Sequence, residues 1–239
     1  MSDLERERVL DNPLWSCLTT RHAHLAQGGA LARRYPADFS VLAAIPDSAP
    51  ENSAALHALV GVGDDIAVGG PHLPTFPEGW ETDPQIRIVQ MIRRHPVPLP
   101  EREATVAMLA APDVDDMLAL VELTRPGPFR RRTVELGNFL GIRREGRLLA
   151  MAGERMWIGD YREVSAVCTH PDAQGQGLAR TLITHVVNRM LQLGQTPFLH
   201  VEAGNVTAIA LYRALGFAER IEFALVHATR MHRTPTEDA

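Results

Sequence analysis

The 239-residue chain contains no lysine, so arginine and histidine carry all of its basic side chains. A phosphate-binding P-loop needs a lysine after its glycines, and that class of nucleotide site is therefore excluded. The only cysteines are Cys17 and Cys168, which are too few for a disulfide-stabilised scaffold. Because nothing else in the sequence suggests export, we expect a cytoplasmic protein.

Long apolar runs and strong positive charge are also missing. No apolar run reaches the ~18 residues that a membrane-spanning helix needs, and the charged segment 1–8 does not resemble a signal peptide. The net charge is -5, and the longest basic run is the arginine triplet at 130–132. We therefore expect neither a membrane nor a nucleic acid as partner, whereas a cationic acceptor fits the acidic balance.

Alternating prolines at Pro96, Pro98 and Pro100 disfavour both helix and central strand. This stretch predicts an extended linker between a small α+β domain, residues 1–99, and a second domain, residues 100–239. The element order allows the first domain to be a degenerate half of the second domain's fold. Its predicted elements are strands at 39–45, 66–68 and 85–92 and a helix at 53–60.

The second domain predicts a mixed α/β sheet. Asp113 is a candidate N-cap for a helix that ends near Arg125, and a strand at 104–109 precedes it. Short turns between the next three strands indicate an antiparallel meander, and the strand after the long helix must run parallel to the strand before it. The remaining predicted elements are strands at 138–143, 147–156, 162–169, 196–202 and 219–227 and helices at 177–193 and 206–215.

A glycine-containing loop, Gln174-Gly175-Gln176-Gly177, opens the long helix. The first turn of a helix has unpaired amide groups and the positive end of the helix dipole, so it attracts anions. A dinucleotide-binding fold is the obvious rival, but its third glycine would fall at Arg180. The loop therefore predicts a site for a phosphate-bearing ligand.

The loop fits the pattern Gln174-x-x-Gly177-x-Ala179, and a second motif joins Asn205 and Tyr212 to a following Gly-Phe pair. Together these two motifs resemble the GNAT superfamily of acetyl-coenzyme A-dependent N-acetyltransferases. The resemblance covers roughly residues 104–230. It implies a GNAT-like acetyltransferase fold, acetyl-coenzyme A as co-substrate, and a small-molecule or peptide amine as acceptor. A homodimer is allowed.

The resemblance also assigns cofactor-binding residues. The backbone of one strand would bind the acetyl and pantetheine groups beside a bulge, and the glycine loop would bind the pyrophosphate. Asn205 would contact the pantetheine region, or it is a plain helix N-cap. The strand and loop residues are Val167, Cys168, Thr169, Gln174, Gly175, Gln176, Gly177, Leu178, Ala179 and Arg180.

Two catalytic residues follow from the same resemblance. Tyr212 would protonate the departing thiolate, and Glu163 would take the proton from the acceptor amine. For Glu163 an ion pair with a nearby arginine is an equal alternative, and the acceptor-side loop near 129–135 could supply the base instead. A non-catalytic acetyl-coenzyme A sensor is the alternative function.

Three further features have ordinary structural interpretations. Cys168 is expected to be a small buried hydrophobic residue rather than a nucleophile. The pair His22 and His24 lacks the accompanying ligands of a metal site, so we expect surface or interface histidines and no metal. The arginine triplet at 130–132 either shapes the acceptor pocket or lies in a solvated loop.

Overall fold

The computed structural model describes residues 3–95, 98–99 and 105–232. The predicted proline linker falls mostly on residues outside these ranges. The α-helices are α1 (Asp3–Glu7), α2 (Pro13–Thr19), α3 (Pro50–Leu59), α4 (Val114–Thr124), α5 (Leu178–Gln192) and α6 (Val206–Ala214). The strands are β1 (Gln27–Gly28), β2 (Arg33–Arg34), β3 (Leu42–Ala44), β4 (Asp65–Gly70), β5 (Trp80–Thr82), β6 (Ile86–Ile92), β7 (Ala107–Leu109), β8 (Phe139–Arg144), β9 (Arg147–Ile158), β10 (Tyr161–Thr169), β11 (Thr196–Glu202) and β12 (Ala218–Arg230).

The chain divides into two compact units that differ from the predicted domains. Unit 1 contains Met1–Ala37, Val41–Arg87 and Phe223–Ala239, and unit 2 contains Asp38–Ser40 and Ile88–Glu222. The expected boundary between residues 99 and 100 followed proline content. Strand pairing decides the observed division, because the end of β6 pairs with β11 and the end of β12 pairs with β4.

Unit 1 is a small sheet covered by short helices. Its strands follow the order β1, β2, β3, β4 and the end of β12, on which β5 also pairs. The core includes the buried residues Ile45, Leu56, Ile66 and Val226. Helices α1 and α2 and strand β5 were not predicted. The three residues of β5 pair with β12, which is distant in sequence, so no local pattern indicated them.

Unit 2 contains the sheet order β6, β11, β10, β9, β8, β7. Strands β8, β9 and β10 form the predicted antiparallel meander, and β10 and β11 are parallel, so the prediction of a mixed α/β sheet is confirmed. A parallel pair needs a crossover connection, which α5 supplies.

Helices cover both faces of the unit 2 sheet. Ala150 and Ala152 pack with the buried face of α5, whereas Met151 between them packs with α4. This alternation is the period of a strand that is buried on both sides. The long helix predicted at 177–193 is present as α5, and its apolar face is buried, since Leu182, Val186 and other residues are fully or almost fully buried.

Candidate functional site

The strand pair β10–β11 opens partway along its length. The ladder pairs residues 161–164 with residues 196–199 and stops at Val164–Leu199, although β10 continues to Thr169 and β11 to Glu202. We call this point the fork. Beyond it, the facing edges of β10 and β11 are not joined to each other by ladder pairing in the part of the chain that the structure describes.

A bulge in β10 accompanies the fork. The register of β10 against β9 shifts between Ser165 and Cys168, and Ala166 has a positive φ of 51°. A left-handed backbone costs a residue with a Cβ atom about 1–2 kcal/mol, and such strain concentrates at functional sites. The bulge that the sequence argument required is therefore present, and it lies at the position where the strands part.

The glycine loop lies between β10 and α5. Gly175 and Gly177 both have left-handed backbones, with φ values of 73° and 78°, which glycine adopts without strain. The first α-helical hydrogen bond runs from the amide of Thr181 to the carbonyl of Gly177 at 3.0 Å. The amides of Leu178, Ala179 and Arg180 precede that bond, so the helix presents an open N-terminus.

One orphaned polar atom lies between these two features. Thr169 ends β10, and its Oγ1 is buried with no hydrogen-bond partner among the described residues. A buried hydroxyl without a partner costs free energy, and a bound ligand can supply the missing bond. An extended ligand with amides at one end and phosphates at the other fits this donor set, and the pantetheine-pyrophosphate part of coenzyme A has that composition.

The second motif lies on α6. Asn205 caps the helix, since its Oδ1 accepts from the amide of Ala208 at 3.1 Å. Tyr212 is 7% exposed, and its ring meets that of Phe217 edge-on. Burial raises the pKa of Tyr212 to about 12, so its hydroxyl stays protonated at neutral pH. The hydrogen bond to Ala208 shows that Asn205 is the N-cap of α6, and its contact with the cofactor stays a prediction.

Glu163 lies in a buried ion pair just before the fork. Its carboxylate accepts from Nε and NH2 of Arg155, both at 2.8 Å, and it is 1% exposed. Burial raises the pKa of Glu163, but the charge of Arg155 and the hydrogen bond from His200 outweigh it and hold that pKa at about 2. The ion-pair alternative is observed. A base role for Glu163 stays a prediction that would require this pair to open.

His200 is the residue that the sequence argument missed. It is the first residue of β11 beyond the fork, its side chain is 10% exposed, and its Nδ1 lies 2.8 Å from Oε1 of Glu163. Its Nε2 lies 3.1 Å from Nε2 of Gln90 on β6. The signal for it was an isolated histidine between the apolar residues Leu199 and Val201 of the strand.

Cys168 is buried, as predicted. It is 7% exposed and packs among the residues that contact α4. Burial raises the pKa of the Cys168 thiol to about 11, although hydrogen bonds with the Thr124 side chain and the Met151 backbone oppose that rise. Such a thiol is neutral near pH 7 and a poor nucleophile. Val167 beside it is half-buried against the α5 cluster.

Two residues of the arginine triplet form ion pairs with neighbouring carboxylates. Arg131 pairs with Asp115 at 2.7 Å. Arg132 pairs with Glu135 and Asp38, and its guanidinium lies 3.9 Å from the centre of the Phe39 ring. Most of these charged side chains are largely exposed, which favours the interpretation as a solvated loop.

The expectation for His22 was wrong. His22 is 6% exposed, and its Nδ1 lies 2.7 Å from the hydroxyl of Tyr35, because both side chains belong to the core of unit 1. Within the described ranges, no group of three or more metal-binding side chains comes together. In the same ranges, no helix is long and apolar enough to cross a bilayer.

Comparison with known proteins agrees with this geometry. Residues 139–226 match the family model of FR47-like proteins. A crystal structure of a protein from Novosphingobium aromaticivorans, placed in the GNAT family as an acetyltransferase, is 36% identical, with a TM-score of 0.86 over 93% of this chain and 99% of that one. A GCN5-related N-acetyltransferase from Kribbella flavida shares the fold, with a TM-score of 0.61 at 16% identity over 94% and 96% of the two chains.

Curated relatives match over a shorter stretch. The [ribosomal protein bS18]-alanine N-acetyltransferase of Escherichia coli is 35% identical over 79 residues, which are 33% of this chain and 53% of that enzyme. The mycothiol acetyltransferase of Kocuria rhizophila is 45% identical over 56 residues, which are 23% and 18% of the two chains. The chain thus spans about half the length, or less, of these two relatives.

Proposed function

Since the chain belongs to the GNAT family, we propose that it transfers an acetyl group from acetyl-coenzyme A to a primary amine. The observation that carries this proposal is the fork in the β10–β11 pair, with its bulge at Ala166 and the open N-terminus of α5 beyond it. Together these features offer unpaired strand backbone for an acyl-pantetheine arm and amide groups for a pyrophosphate.

In this proposal each part of the site has one task. The amides of residues 175–180 and the side chains of Gln174 and Arg180 hold the pyrophosphate. The backbone of Val167, Cys168 and Thr169 holds the pantetheine arm, and the Thr169 hydroxyl gains its missing partner there. Amides of the opened strand polarise the acetyl carbonyl and stabilise the negative charge that develops on its oxygen.

Tyr212 is the proposed general acid. Its protonated hydroxyl can donate to the sulfur as the carbon–sulfur bond breaks, and burial keeps that proton in place. Tyr212→Phe should preserve coenzyme affinity and lower kcat by about 10²–10⁴-fold. Turnover close to that of the wild type would leave Tyr212 with a packing role.

The acceptor is proposed to be a primary amine on a small molecule or peptide. The net negative charge of the chain favours a cationic acceptor. One relative acts on an alanine of a ribosomal protein, so a peptide with a free N-terminal alanine is the first acceptor to test. A peptide with an internal lysine and a small polyamine complete the panel, with thiol release as the signal.

Coenzyme binding is tested by a matched pair of glycine variants. Gly177→Glu places a side chain with a negative charge at the proposed pyrophosphate site, whereas Gly194→Glu places it after the opposite end of α5, where φ is 70° and nothing lies within 4 Å of a Cβ atom. Both substitutions place a residue with a Cβ atom on a left-handed backbone, so both strain the fold.

Acetyl-coenzyme A should raise the melting temperature of the wild type and of Gly194→Glu, because it binds only the folded state. Gly177→Glu should fold without that rise. An equal rise in Gly177→Glu would place the pyrophosphate elsewhere. If the protein bound acetyl-coenzyme A and acetylated no amine in the panel, the result would instead support the alternative function, a non-catalytic acetyl-coenzyme A sensor.

A further inference from the structure

We propose that His200 is the general base that takes the proton from the acceptor amine, and that Glu163 is the positioning residue that orients it. This inference rests on the proposed transferase function and names a residue that neither sequence motif contains. It replaces Glu163 in the base role, because Glu163 is held by Arg155 and is almost inaccessible.

The position of His200 is the first argument. It directly follows Leu199, the last residue of β11 that pairs with β10, so it lies at the opening where an acyl group would enter. Its neighbours Leu199 and Val201 belong to the α5 cluster. His200 therefore points to the opposite face of the sheet, the face that also carries Glu163 and Arg155.

The hydrogen bonds fix the tautomer of the imidazole. The guanidinium of Arg220 can only donate, and it donates to Oε1 of Gln90 at 3.0 Å. The amide nitrogen of Gln90 therefore faces Nε2 of His200 and donates to it. Nε2 then carries the lone pair, and Nδ1 carries the hydrogen that Glu163 accepts.

This arrangement is that of an oriented general base. A carboxylate that accepts from one ring nitrogen holds the other as an acceptor and stabilises the imidazolium that forms. Among the described residues, the charged groups near the ring include Glu163 on β10 and its partner Arg155 on β9, while Arg220 on β12 donates to the neutral Gln90 on β6. Because Arg155 keeps Glu163 ionised, the carboxylate is available to the imidazole throughout the neutral range.

The proton transfers balance as follows. Nε2 of His200 takes one proton from the ammonium group, which replaces the amide of Gln90 as its donor, and later releases that proton to water. The free amine forms the carbon–nitrogen bond as the thioester carbonyl opens. When the carbon–sulfur bond breaks, the nitrogen loses its second proton, and the sulfur gains one from Tyr212, which recovers a proton from the nitrogen through solvent.

Turnover tests the base directly, with the N-terminal alanine peptide and the rest of the panel as acceptors. His200→Gln should lower kcat/KM by about 10²–10⁴-fold and remove the fall in rate at low pH, while the thermal shift with acetyl-coenzyme A persists. His95→Gln is the matched control, because His95 is exposed in the same unit. It should leave the rate and the pH profile unchanged.

Chemical rescue separates a base from a structural histidine. His200→Ala should regain activity with added imidazole, and a series of substituted imidazoles should give rates that rise with their pKa values. Rescue that is independent of pKa would show that the added ring only fills space. Unaltered turnover in His200→Gln would overturn the proposal, as would loss of activity with an unchanged low-pH limb.

The tautomer gives a test that needs no activity. In ¹⁵N spectra of the wild-type protein, the His200 side chain, assigned by its disappearance in His200→Gln, should be protonated at Nδ1 and not at Nε2 near pH 8. Protonation at Nε2 instead would overturn the assigned base. A wild type that binds acetyl-coenzyme A and acetylates no amine would overturn the transferase function, and the proposed base with it, even if the predicted tautomer were found.

Discussion

The two parts of β10 on either side of the fork differ in charge and in pairing. Residues 161–164 pair with β11 and contain Arg162 and Glu163, each in a buried ion pair with β9. Residues 165–169 carry no charge, include the strained Ala166, and do not continue the ladder with β11. The paired part of β10 is thus held to its neighbours by ion pairs and ladder pairing, and the open part immediately beyond it has backbone that is open to a ligand.

The ion pairs of the paired part lie on opposite faces of the sheet. Arg162 donates to Glu154 beneath α5, and Arg155 donates to Glu163 on the other face. The ladder between β10 and β11 is short because it ends at the fork. The paired end therefore needs strong side-chain interactions to hold the strands in place. We therefore expect changes in the paired part to affect stability first, and changes in the open part to affect binding and chemistry first.

Removal of one member of a buried pair should have the largest effect on stability. Arg162→Met leaves Glu154 buried without its cation, and Arg155→Met does the same to Glu163, so each should lower the free energy of unfolding by about 3–5 kcal/mol. Arg131→Met, which breaks an exposed pair, is the control and should change little. Urea titrations measure the free energy of unfolding of all three variants. Equal losses in the buried and exposed pairs would show that the buried ion pairs do not hold the paired part of β10 in place.

The pH dependence of stability tests the Glu163 pair. The pKa of Glu163 in the folded chain, about 2, lies below its unfolded value of ~4.3, so the stabilisation is present above that unfolded value and is lost as the pH falls through about 2. The free energy of unfolding falls between pH 5 and pH 2. In the double variant Glu163→Gln/Arg155→Met, this fall should be smaller than in the wild type by roughly 3 kcal/mol. A wild type and double variant with parallel acid curves would show that Glu163 is not held as an anion.

The bulge should respond to glycine in the opposite way from a regular strand. Ala166→Gly relieves a left-handed backbone, which should offset the entropic cost of glycine and leave stability unchanged or raised by at most ~1 kcal/mol. Ala150→Gly, at a position of β9 without a left-handed backbone, should lose about 0.5–1 kcal/mol or more. Equal losses in the two variants, measured by thermal unfolding, would argue against the bulge.

The smallest effect is expected at Cys168. Because burial raises the pKa of Cys168 to about 11, its thiolate fraction near neutral pH is lower than that of a free thiol by about two orders of magnitude. In a Cys17→Ser background, iodoacetamide should label Cys168 only when the chain unfolds. Rapid labelling of the folded protein would mean that the open part of β10 is more accessible than the structure shows.

The sequence predicted most of the unit 2 fold because its elements have clear local signals. The apolar period of α5, the turns of the meander and the glycine loop are each encoded within a few residues. The arginine partner of Glu163 was foreseen only as an alternative. The mirrored order Glu154-Arg155 and Arg162-Glu163 around a tight turn could have indicated cross-strand pairs.

Other features depend on contacts between residues that are distant in sequence. His200 gains its role from Gln90 on β6 and Glu163 on β10, which no local pattern connects. The assignment of Phe223 and the following residues to unit 1 likewise follows from pairing with β4. The proline-rich stretch was a compositional signal, and it did not mark the boundary that strand pairing creates.

The most direct test of the acetyl-coenzyme A site is a titration followed by the backbone amide resonances of the ¹⁵N-labelled chain. We expect the amides of residues 175–180 and of Val167, Cys168 and Thr169 to shift together, with one dissociation constant, as both ends of one ligand bind the loop and the open strand. Saturation with acetyl-coenzyme A that moves other resonances and leaves these two groups in place would contradict this expectation.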